Sequence, residues 1–370
     1  MKVAVVGGHL SPALAVIDAL PKGTQVIFLG RQSTFEGEKT ESLEYKEITL
    51  RGIPFFPLTT ARIQRSLTRH TLPAFSKLPV GMYQAVTILR KEKPDVIMAF
   101  GGYLSIPVGF AARLLRIPVV IHEQTLEAGL ANKLLSKFAG KICISWTQSV
   151  AYFPKNKIIL TGNPIKQFAK TRDSVQVPTG ELPLIYITGG SAGSHALNRL
   201  IEGALRELTT QYRVIHQTGD SQEFNDYQRL QELKKTLPDK QQDRYVVEKF
   251  IPPAAVGSLL LQSDIVISRS GINTVTELIA TGKPALLIPL PHGQKGEQLK
   301  NALFLKNLGL AEILLQSEAT SQKLEALIAA MLSKLPDYKN SAKDAQKLLH
   351  LDAADKIVTT LSYVGTKKSS

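Results

Sequence analysis

The sequence contains a single cysteine, Cys143, among 370 residues. One cysteine cannot form a disulfide within the chain, which argues against a disulfide-stabilised secreted domain and favours a reducing cytosol. The sequence also lacks an apolar run approaching the roughly 20 residues that a membrane-spanning helix needs. The apolar start, Met1–Val6, is too short for the hydrophobic part of a signal peptide, and it ends at Gly7-Gly8 as a strand would. We therefore expect a soluble protein.

Two nucleotide-binding signatures and one metal-binding signature are also missing. No Walker-A lysine follows a glycine-rich loop, which argues against a P-loop NTPase. The turn Gly7-Gly8-His9 lacks the third glycine of the dinucleotide fingerprint, and no acidic residue ends the second predicted strand. A hydride-transfer enzyme is therefore disfavoured. No Asp-x-Asp motif occurs and the histidines are scattered, so we predict no metal site and no cofactor.

Acidic residues are absent between Ile48 and Lys91, in a chain whose formal net charge is +14. The basic residues of this segment are Arg51, Arg62, Arg65, Arg69, Lys77, Arg90 and Lys91, and the interleaved apolar ones are Ile53, Phe55, Phe56, Leu67, Leu72, Phe75, Leu78 and Met82. A basic and apolar surface of this kind suits an anionic membrane surface. A solvated basic loop beside a buried helix would give the same pattern. Nucleic acid is disfavoured as a partner, because no zinc, helix-turn-helix or RNA-reading motif appears.

Strand and helix patterns alternate along the chain, which predicts parallel sheets. The strands predicted in the first half are Lys2–Val6, Gln25–Gly30, Asp95–Phe100, Pro118–His122, Lys141–Ser145 and Lys157–Leu160. Those predicted in the second half are Leu184–Thr188, Arg213–Gln217, Tyr245–Glu248, Asp264–Ser268, Ala285–Pro289 and Ala311–Leu314. The fold class is therefore α/β, with two doubly wound Rossmann-like domains. We place these domains at residues 1–165 and 166–340, followed by a C-terminal helix and tail at 341–370 that packs back toward the first domain.

A glycine turn follows the first strand of each predicted domain. The first turn is Gly7-Gly8-His9, with Ser11 as the expected N-cap of the next helix and Pro12 as its first residue. The second turn is Gly189-Gly190-Ser191-Ala192-Gly193. Ligands of open parallel sheets bind beyond the carboxyl ends of the strands. If the two domains face each other, both turns border one interdomain cleft.

The most informative stretch is Gly271–Glu277, which follows the predicted strand Asp264–Ser268. A strand that leads through a glycine into a helix presents free backbone N–H groups and the positive end of the helix dipole, which suits phosphate. Glu277 lies about two turns into that helix, too far to act as a cap. Its carboxylate can accept both hydroxyls of a ribose while the diphosphate sits at the helix tip. This combination predicts a nucleoside diphosphate ligand.

Several short motifs, in the same order between about Val3 and Leu314, resemble one family of bacterial cell-wall glycosyltransferases. They are Gly101-Gly102-Tyr103, Ile121-His122-Glu123-Gln124, Gly129-Leu130-Ala131-Asn132, Gly162-Asn163-Pro164, Gly189-Gly190-Ser191-Ala192-Gly193, Phe250-Ile251, Arg269–Glu277, and Gln298 with Asn301-Ala302. The chain resembles the MurG family, which transfers N-acetylglucosamine from UDP-GlcNAc to undecaprenyl-diphospho-muramoyl-pentapeptide (lipid I) and so makes lipid II in peptidoglycan synthesis. The resemblance implies the GT-B fold, inversion at the anomeric carbon, and a peripheral position on the cytoplasmic face of the cell membrane.

The resemblance also implies roles on the donor side. The implied donor-binding positions are Lys166, Ser191, Phe250, Ile251, Asn273, Thr274, Glu277, Glu297 and Gln298. In the family, the segment matching Phe250-Ile251 reads the uracil through its backbone, and the acid matching Glu277 binds the ribose hydroxyls. Lys166 stands where the family usually has Arg, so the charge is kept but the bidentate fork is lost. Glu297 replaces the first of two glutamines that hold the sugar, so it can accept but not donate hydrogen bonds.

On the acceptor side, Gly8 and His9 match a glycine loop whose histidine is a candidate general base or a contact to the acceptor's diphosphate. The family loop reads Gly-Gly-Thr-Gly-Gly-His, so the loop of this chain is shorter. Thr125 replaces an Asn after His-Glu-Gln, at a donor-side or hinge contact. By itself, His122 in an apolar strand end is more typical of a core histidine. Two other functions stay open: a UDP-GlcNAc 2-epimerase of the same fold, and a non-catalytic UDP-sugar-binding subunit.

Overall fold

The computed structural model describes residues 1–33, 41–59, 71–165, 175–190, 193–221, 223–291 and 296–366, without the side chains of 71–78. The chain divides into two compact units. Unit 1 consists of residues 1–166 together with 350–370, and unit 2 consists of residues 167–349. Within the described residues, no helix is both long enough and apolar enough to cross a membrane.

Unit 1 is built on a seven-stranded parallel sheet in its described residues. Its strands are β1 (Lys2–Val6), β2 (Gln25–Gly30), β3 (Phe55–Pro57), β4 (Val96–Ala99), β5 (Val119–Glu123), β6 (Lys141–Ile144) and β7 (Ile158–Leu160). The strand order is β3-β2-β1-β4-β5-β6-β7, so the chain winds outward from β1 first in one direction and then in the other. This confirms the α/β class and a doubly wound sheet.

Helices cover both faces of this sheet. They are α1 (Leu10–Ala19), α2 (Leu43–Leu50), α3 (Thr71–Glu92), α4 (Ser105–Leu114), α5 (Leu130–Leu135) and, from the end of the chain, α14 (Ala353–Thr366). Alternate residues of β1 enter different cores, because strand side chains point to opposite faces. Val3 and Val5 pack in the cluster that contains Leu361 of α14, whereas Ala4 and Val6 pack in the cluster that contains Leu89 of α3.

Strand β3 was missed by the sequence interpretation, which assigned its residues to an exposed basic and apolar surface. Ile53 and Phe55 instead pack against one core cluster of unit 1, and Phe56 packs against the other. That part of the predicted surface is therefore wrong. The strand ends at Pro57 and lies at the sheet edge, where proline is tolerated. Residues 60–70 of the segment lie outside the described part of the chain, as do the side chains of 71–78.

Unit 2 is built on a six-stranded parallel sheet, again counted in the described residues. Its strands are β8 (Leu184–Thr188), β9 (Arg213–Gln217), β10 (Tyr245–Glu248), β11 (Ile265–Ser268), β12 (Ala285–Leu287) and β13 (Ala311–Ile313). Its helices are α6 (His195–Gln211), α7 (Asp226–Lys235), α8 (Asp239–Gln242), α9 (Pro253–Gln262), α10 (Ile272–Thr281), α11 (Glu297–Asn307), α12 (Ser321–Ser333) and α13 (Leu335–Gln346). All six strands predicted for this half are confirmed. Position 341, where the sequence placed the start of the C-terminal tail, lies inside α13 of unit 2.

The starts of three helices position the functional side chains. Helix α1 has His9 as its N-cap and begins at Leu10, so the prediction of Ser11 as the N-cap is wrong. Helix α6 is capped by Ser194, whose hydroxyl accepts a hydrogen bond from the N–H of Leu197 at 3.4 Å. Helix α10 begins after Gly271, which has no side chain to cap the first N–H groups of the helix.

Candidate functional site

A cavity of about 350 Å³ lies beyond the carboxyl ends of the strands of unit 2. Its described lining residues are Gly189, Gly193, Ser194, His195, Ala196, Arg269, Leu290, Pro291, Gln298 and Gln316. Strands β8 and β11 are neighbours, and the chain winds outward from them in opposite directions. The cavity therefore lies at the switch point of the sheet, where doubly wound folds bind nucleotides.

Arg269 places a buried positive charge in this cavity. The residue is 7% exposed. Its Nε donates to the hydroxyl of Ser194 at 3.0 Å, Nη1 donates to the carbonyl of Ile288 at 2.8 Å, and Nη2 donates to Oε1 of Gln316 at 2.7 Å. Burial lowers the pKa of this guanidinium, which nevertheless stays protonated at neutral pH. All of these acceptors are neutral, and no carboxylate of the described residues pairs with Arg269, so the site suits an anion.

His195 is a second nitrogen-containing side chain in the wall of this cavity. Its Nδ1 lies 2.9 Å from Oδ1 of Asp226, and its ring stacks on Phe224 with the centroids 4.0 Å apart. Burial by itself would raise the pKa of Asp226, but hydrogen bonds from Asn198, Arg229 and His195 outweigh it and lower that pKa. Because Asp226 is ionised, the Nδ1 atom of His195 carries a proton, and no described residue forms a hydrogen bond with Nε2.

Glu277 lies on α10, whose first turn holds Asn273 and Thr274. Its carboxylate is half-buried, and burial raises its pKa to about 7. No described residue donates a hydrogen bond to it. A desolvated carboxylate without donors gains most from a ligand that brings hydroxyl groups, as a ribose does.

Gln298 lines the cavity from α11. Its Oε1 accepts a hydrogen bond from the N–H of Leu290 at 2.9 Å, and its carbonyl accepts from the hydroxyl of Ser270 at 2.7 Å. These bonds tie the start of α11 to the loops after β12 and β11, and no described residue accepts a hydrogen bond from the side-chain amide nitrogen of Gln298. Glu297 is the first residue of α11 and is half-buried.

The remaining donor-side predictions are distributed as follows. Phe250 is half-buried and Ile251 is buried in the loop between β10 and α9. That loop leaves the sheet at its carboxyl edge, as a uracil-reading segment would. Lys166 and Ser191 lie outside the described residues. Among the described residues, no group of three or more His, Cys, Asp or Glu side chains could hold a metal ion.

In unit 1, the first glycine turn meets a second glycine pair at the ends of β1 and β4. A Cβ atom on Gly8 would lie 2.4 Å from the carbonyl oxygen of Gly101, and Gly8 also has a φ of +154°. Only glycine fits there. His9 follows, half-buried, and burial lowers its pKa to about 4, so its imidazole is neutral at pH 7. The side chain has no hydrogen-bond partner among the described residues.

His122 and Thr125 belong to the interior of unit 1. His122 is fully buried, and its Nε2 lies 3.2 Å from the carbonyl oxygen of Gly162 and 3.1 Å from the hydroxyl of Ser145. This placement agrees with a core histidine. Thr125 is buried, and its hydroxyl oxygen lies 2.6 Å from Oε1 of Glu123. That hydroxyl is thus engaged within its own loop.

Sequence reasoning missed His195 and did not single out Arg269 within its motif. The position of His195 directly after the second glycine turn was a usable signal, because residues at that point face the ligand. No signal in the sequence predicted that Arg269 has only neutral partners, because its acceptors Ser194, Ile288 and Gln316 come from three separate segments of the chain.

Comparison with known proteins identifies the family. The model of the glycosyltransferase family 28 N-terminal domain matches residues 6–144, and that of the C-terminal domain matches residues 184–357. A transferase from Oenococcus oeni, named UDP-N-acetylglucosamine–N-acetylmuramyl-(pentapeptide) pyrophosphoryl-undecaprenol N-acetylglucosamine transferase, is 33% identical over 368 residues, covering 97% of this chain and 95% of the relative.

Solved structures agree with this assignment. The crystal structure of Acinetobacter baumannii MurG gives a TM-score of 0.69 at 28% identity, covering 98% of this chain and 100% of that one. A UDP co-structure of MnaA from S. aureus gives a TM-score of 0.66 over 98% of this chain and 96% of that one, but at 12% identity it shows the fold alone. The chain therefore belongs to the MurG family of glycosyltransferase family 28.

Proposed function

We infer that the chain is an inverting glycosyltransferase that moves N-acetylglucosamine from UDP-GlcNAc to lipid I, forming lipid II in peptidoglycan synthesis. The observation that carries this inference is the cavity of unit 2, where the buried Arg269 charge has no carboxylate partner among the described residues. Glu277 lies on the helix that begins just after Arg269. A diphosphate would pair with the charge of Arg269, and the hydroxyls of a ribose would donate hydrogen bonds to Glu277.

The reaction displaces UDP from the anomeric carbon, and the departing diphosphate gains negative charge in the transition state. Preorganised positive groups stabilise such charge more in the transition state than in the ground state. Arg269 and the N-terminal ends of α6 and α10 are the groups that would do so. Glu277 would hold the ribose, and the side-chain amide nitrogen of Gln298 would donate to a hydroxyl of the sugar.

His9 is the candidate general base for the acceptor hydroxyl. A neutral imidazole can take a proton, whereas a phosphate contact at pH 7 would favour an imidazolium. With a pKa lowered to about 4, His9 is in its neutral form before substrate binds. Unit 1 would thus serve the acceptor, and unit 2 the UDP-sugar.

We also propose that unit 1 docks peripherally on the anionic cytoplasmic face of the cell membrane, through α3 and α4. These helices pack side by side, and both expose large apolar side chains. The exposed apolar residues are Val80, Tyr83, Phe110 and Leu114, and the exposed basic residues on or beside the two helices are Arg90, Lys91, Lys93, Arg113 and Arg116. Apolar side chains flanked by cations suit the interface of an anionic bilayer. This surface replaces the Ile53–Phe56 part of the predicted one.

The decisive experiment incubates the purified protein with radiolabelled UDP-GlcNAc and a lipid I analogue. We expect labelled lipid product that depends on the acceptor. UDP-GlcNAc binding without any lipid product would overturn the transferase and favour a non-catalytic UDP-sugar-binding subunit. Release of free N-acetylmannosamine would favour the 2-epimerase.

A further inference from the structure

Glu44 lies in the first turn of α2, but its carboxylate reaches the glycine turn after β1. Its Oε2 accepts a hydrogen bond from the N–H of Arg31 at 3.2 Å, and the carboxylate also accepts one from the backbone of Gly8. A Cβ atom on Gly7 would lie 1.7 Å from Oε1 and 2.6 Å from Cδ of Glu44. Glycine at position 7 is therefore what lets the carboxylate touch the turn.

The sheet brings the two amides together. Strands β1 and β2 pair in parallel with Val6 opposite Leu29, so Gly8 and Arg31 follow neighbouring strand ends. Backbone N–H groups that converge at such an edge, next to the N-terminus of a helix, can bind an anion. His9, the N-cap of α1, contributes no side-chain cap. In this chain, the anion that occupies this site is the carboxylate of Glu44.

We propose that Glu44 is a positioning residue that fills this site with the protein's own negative charge and thereby holds the backbone that presents His9. The acceptor's diphosphate is then bound elsewhere, because a second anion at Gly8 would meet the carboxylate at contact distance. The inference deepens the proposed function and rests on it. The role of the short turn is then to position His9, and the turn does not bind phosphate. Burial raises the pKa of the Glu44 carboxyl, and the backbone amides of Arg31 and Gly8 together with the Arg31 charge act against that shift and favour the ionised form.

The test compares Glu44→Ala and Glu44→Gln with Glu47→Gln, a control on the same helix. Full-length proteins are assayed with UDP-GlcNAc and a lipid I analogue. We expect Glu44→Ala to lower kcat by about 100-fold, since a misplaced catalytic group typically costs that much. The KM for UDP-GlcNAc should stay within about twofold, because the donor cavity lies in unit 2. Added formate should restore part of the kcat of Glu44→Ala by entering the vacated site, and it should not help His9→Ala.

A second readout does not depend on turnover. With selective ¹⁵N-glycine labelling, the amide signal of Gly8 should shift in Glu44→Ala and return toward its wild-type position when formate is added. If Glu44→Ala unfolds, Glu44→Gln decides, because it keeps the size and one acceptor oxygen and should show a smaller loss of kcat.

Three results would overturn the proposal. One is an unchanged kcat in Glu44→Ala. Another is a lower KM for the acceptor with kcat maintained, which would mean that Glu44 competes with the acceptor's diphosphate for the turn. The third is a loss of kcat with no response of either the rate or the Gly8 signal to formate. A wild-type protein that makes no lipid product would instead refute the proposed function, and the Gly8 signal would still test the placement of Glu44.

Discussion

The Nδ1 atom of His195 lies 2.9 Å from Oδ1 of Asp226, so a buried carboxylate orients a histidine at the wall of the unit 2 cavity. Asp226 is itself held by the side chain of Asn198 at 2.8 Å and by Arg229. The arrangement fixes which ring nitrogen is protonated, and it leaves Nε2 to interact with the donor.

We expect His195→Gln to raise the KM for UDP-GlcNAc by about tenfold, since it removes the hydrogen bond between Nε2 and the donor. Asp226→Asn should act in the same direction, because the tautomer of His195 is no longer fixed. Steady-state kinetics at varied UDP-GlcNAc would measure both effects. Arg199→Gln, an exposed change on the same helix, is the control; a KM equal to wild type in both test variants would remove His195 from the donor site.

Arg269→Lys should lower kcat/KM by about 100-fold, although the charge is conserved. An ammonium group cannot reproduce the three directions in which the guanidinium bonds to Ser194, the Ile288 carbonyl and Gln316. UDP titration by calorimetry would show whether the loss is in binding. A variant that binds UDP as tightly as wild type and turns over normally would contradict the proposed role.

Glu277 predicts a dependence of donor binding on pH. Ribose hydroxyls donate to the ionised carboxylate, and the pKa of Glu277 is raised to about 7 by burial. The affinity for UDP should therefore increase between pH 6 and pH 8 in wild type and stay flat in Glu277→Gln. Glu277→Ala should raise the KM for UDP-GlcNAc by about 10- to 100-fold, the cost of two hydrogen bonds to a charged group. An unchanged KM would remove the ribose assignment.

The same pKa has a consequence for stability. Because the folded pKa is raised above the ordinary value of 4.5, ionisation of Glu277 opposes folding, and this penalty grows from about pH 4.5 to pH 7 and is fully present above it. Without ligand, Glu277→Gln should therefore have a higher Tm than wild type at pH 8 but not at pH 4.5. Thermal unfolding followed by circular dichroism at the two pH values would test this. A Tm difference that is the same at both would contradict it.

His9→Ala should lower kcat by about 100-fold or more if His9 is the general base. The KM for UDP-GlcNAc should change little, because His9 belongs to unit 1. His122→Ala is unsuitable as a control, since it would open a cavity in the core. His350→Ala, a half-buried histidine elsewhere in unit 1, serves instead. Turnover at the wild-type rate in His9→Ala would rule out the catalytic role.

Membrane docking predicts that Tyr83→Ser combined with Leu114→Ser weakens binding to vesicles. The two side chains are 73% and 62% exposed, so their replacement should not disturb the fold. Flotation with vesicles containing anionic lipid would measure the loss, with Tyr363→Ser on α14 as an exposed control. Equal binding of wild type to neutral and anionic vesicles would refute the electrostatic part of the proposal.

Local features were readable from the sequence. The bounds of β1, β2, β8, β9 and β10 agree with the sequence interpretation, because each is a compact apolar run limited by turn residues. Glu277 was also found, since the glycine, the helix start and the acid lie on one continuous segment. Strand β3 was missed because three residues at a sheet edge carry too little pattern to distinguish a strand from a loop.

The sequence by itself determined the two doubly wound domains, the glycine turns and the family, because these depend on periodicity and on short motifs. Only the tertiary structure decided that Asp226 orients His195, that Arg269 has no carboxylate partner among the described residues, and that Glu44 fills the turn at Gly7 and Gly8. The contacts of Asp226 and Glu44 join residues that are tens of positions apart in the sequence. The finding for Arg269 depends on the absence of a carboxylate among its described neighbours. Strand pairing and helix packing bring such residues within hydrogen-bond distance, and no local pattern in the chain encodes that proximity.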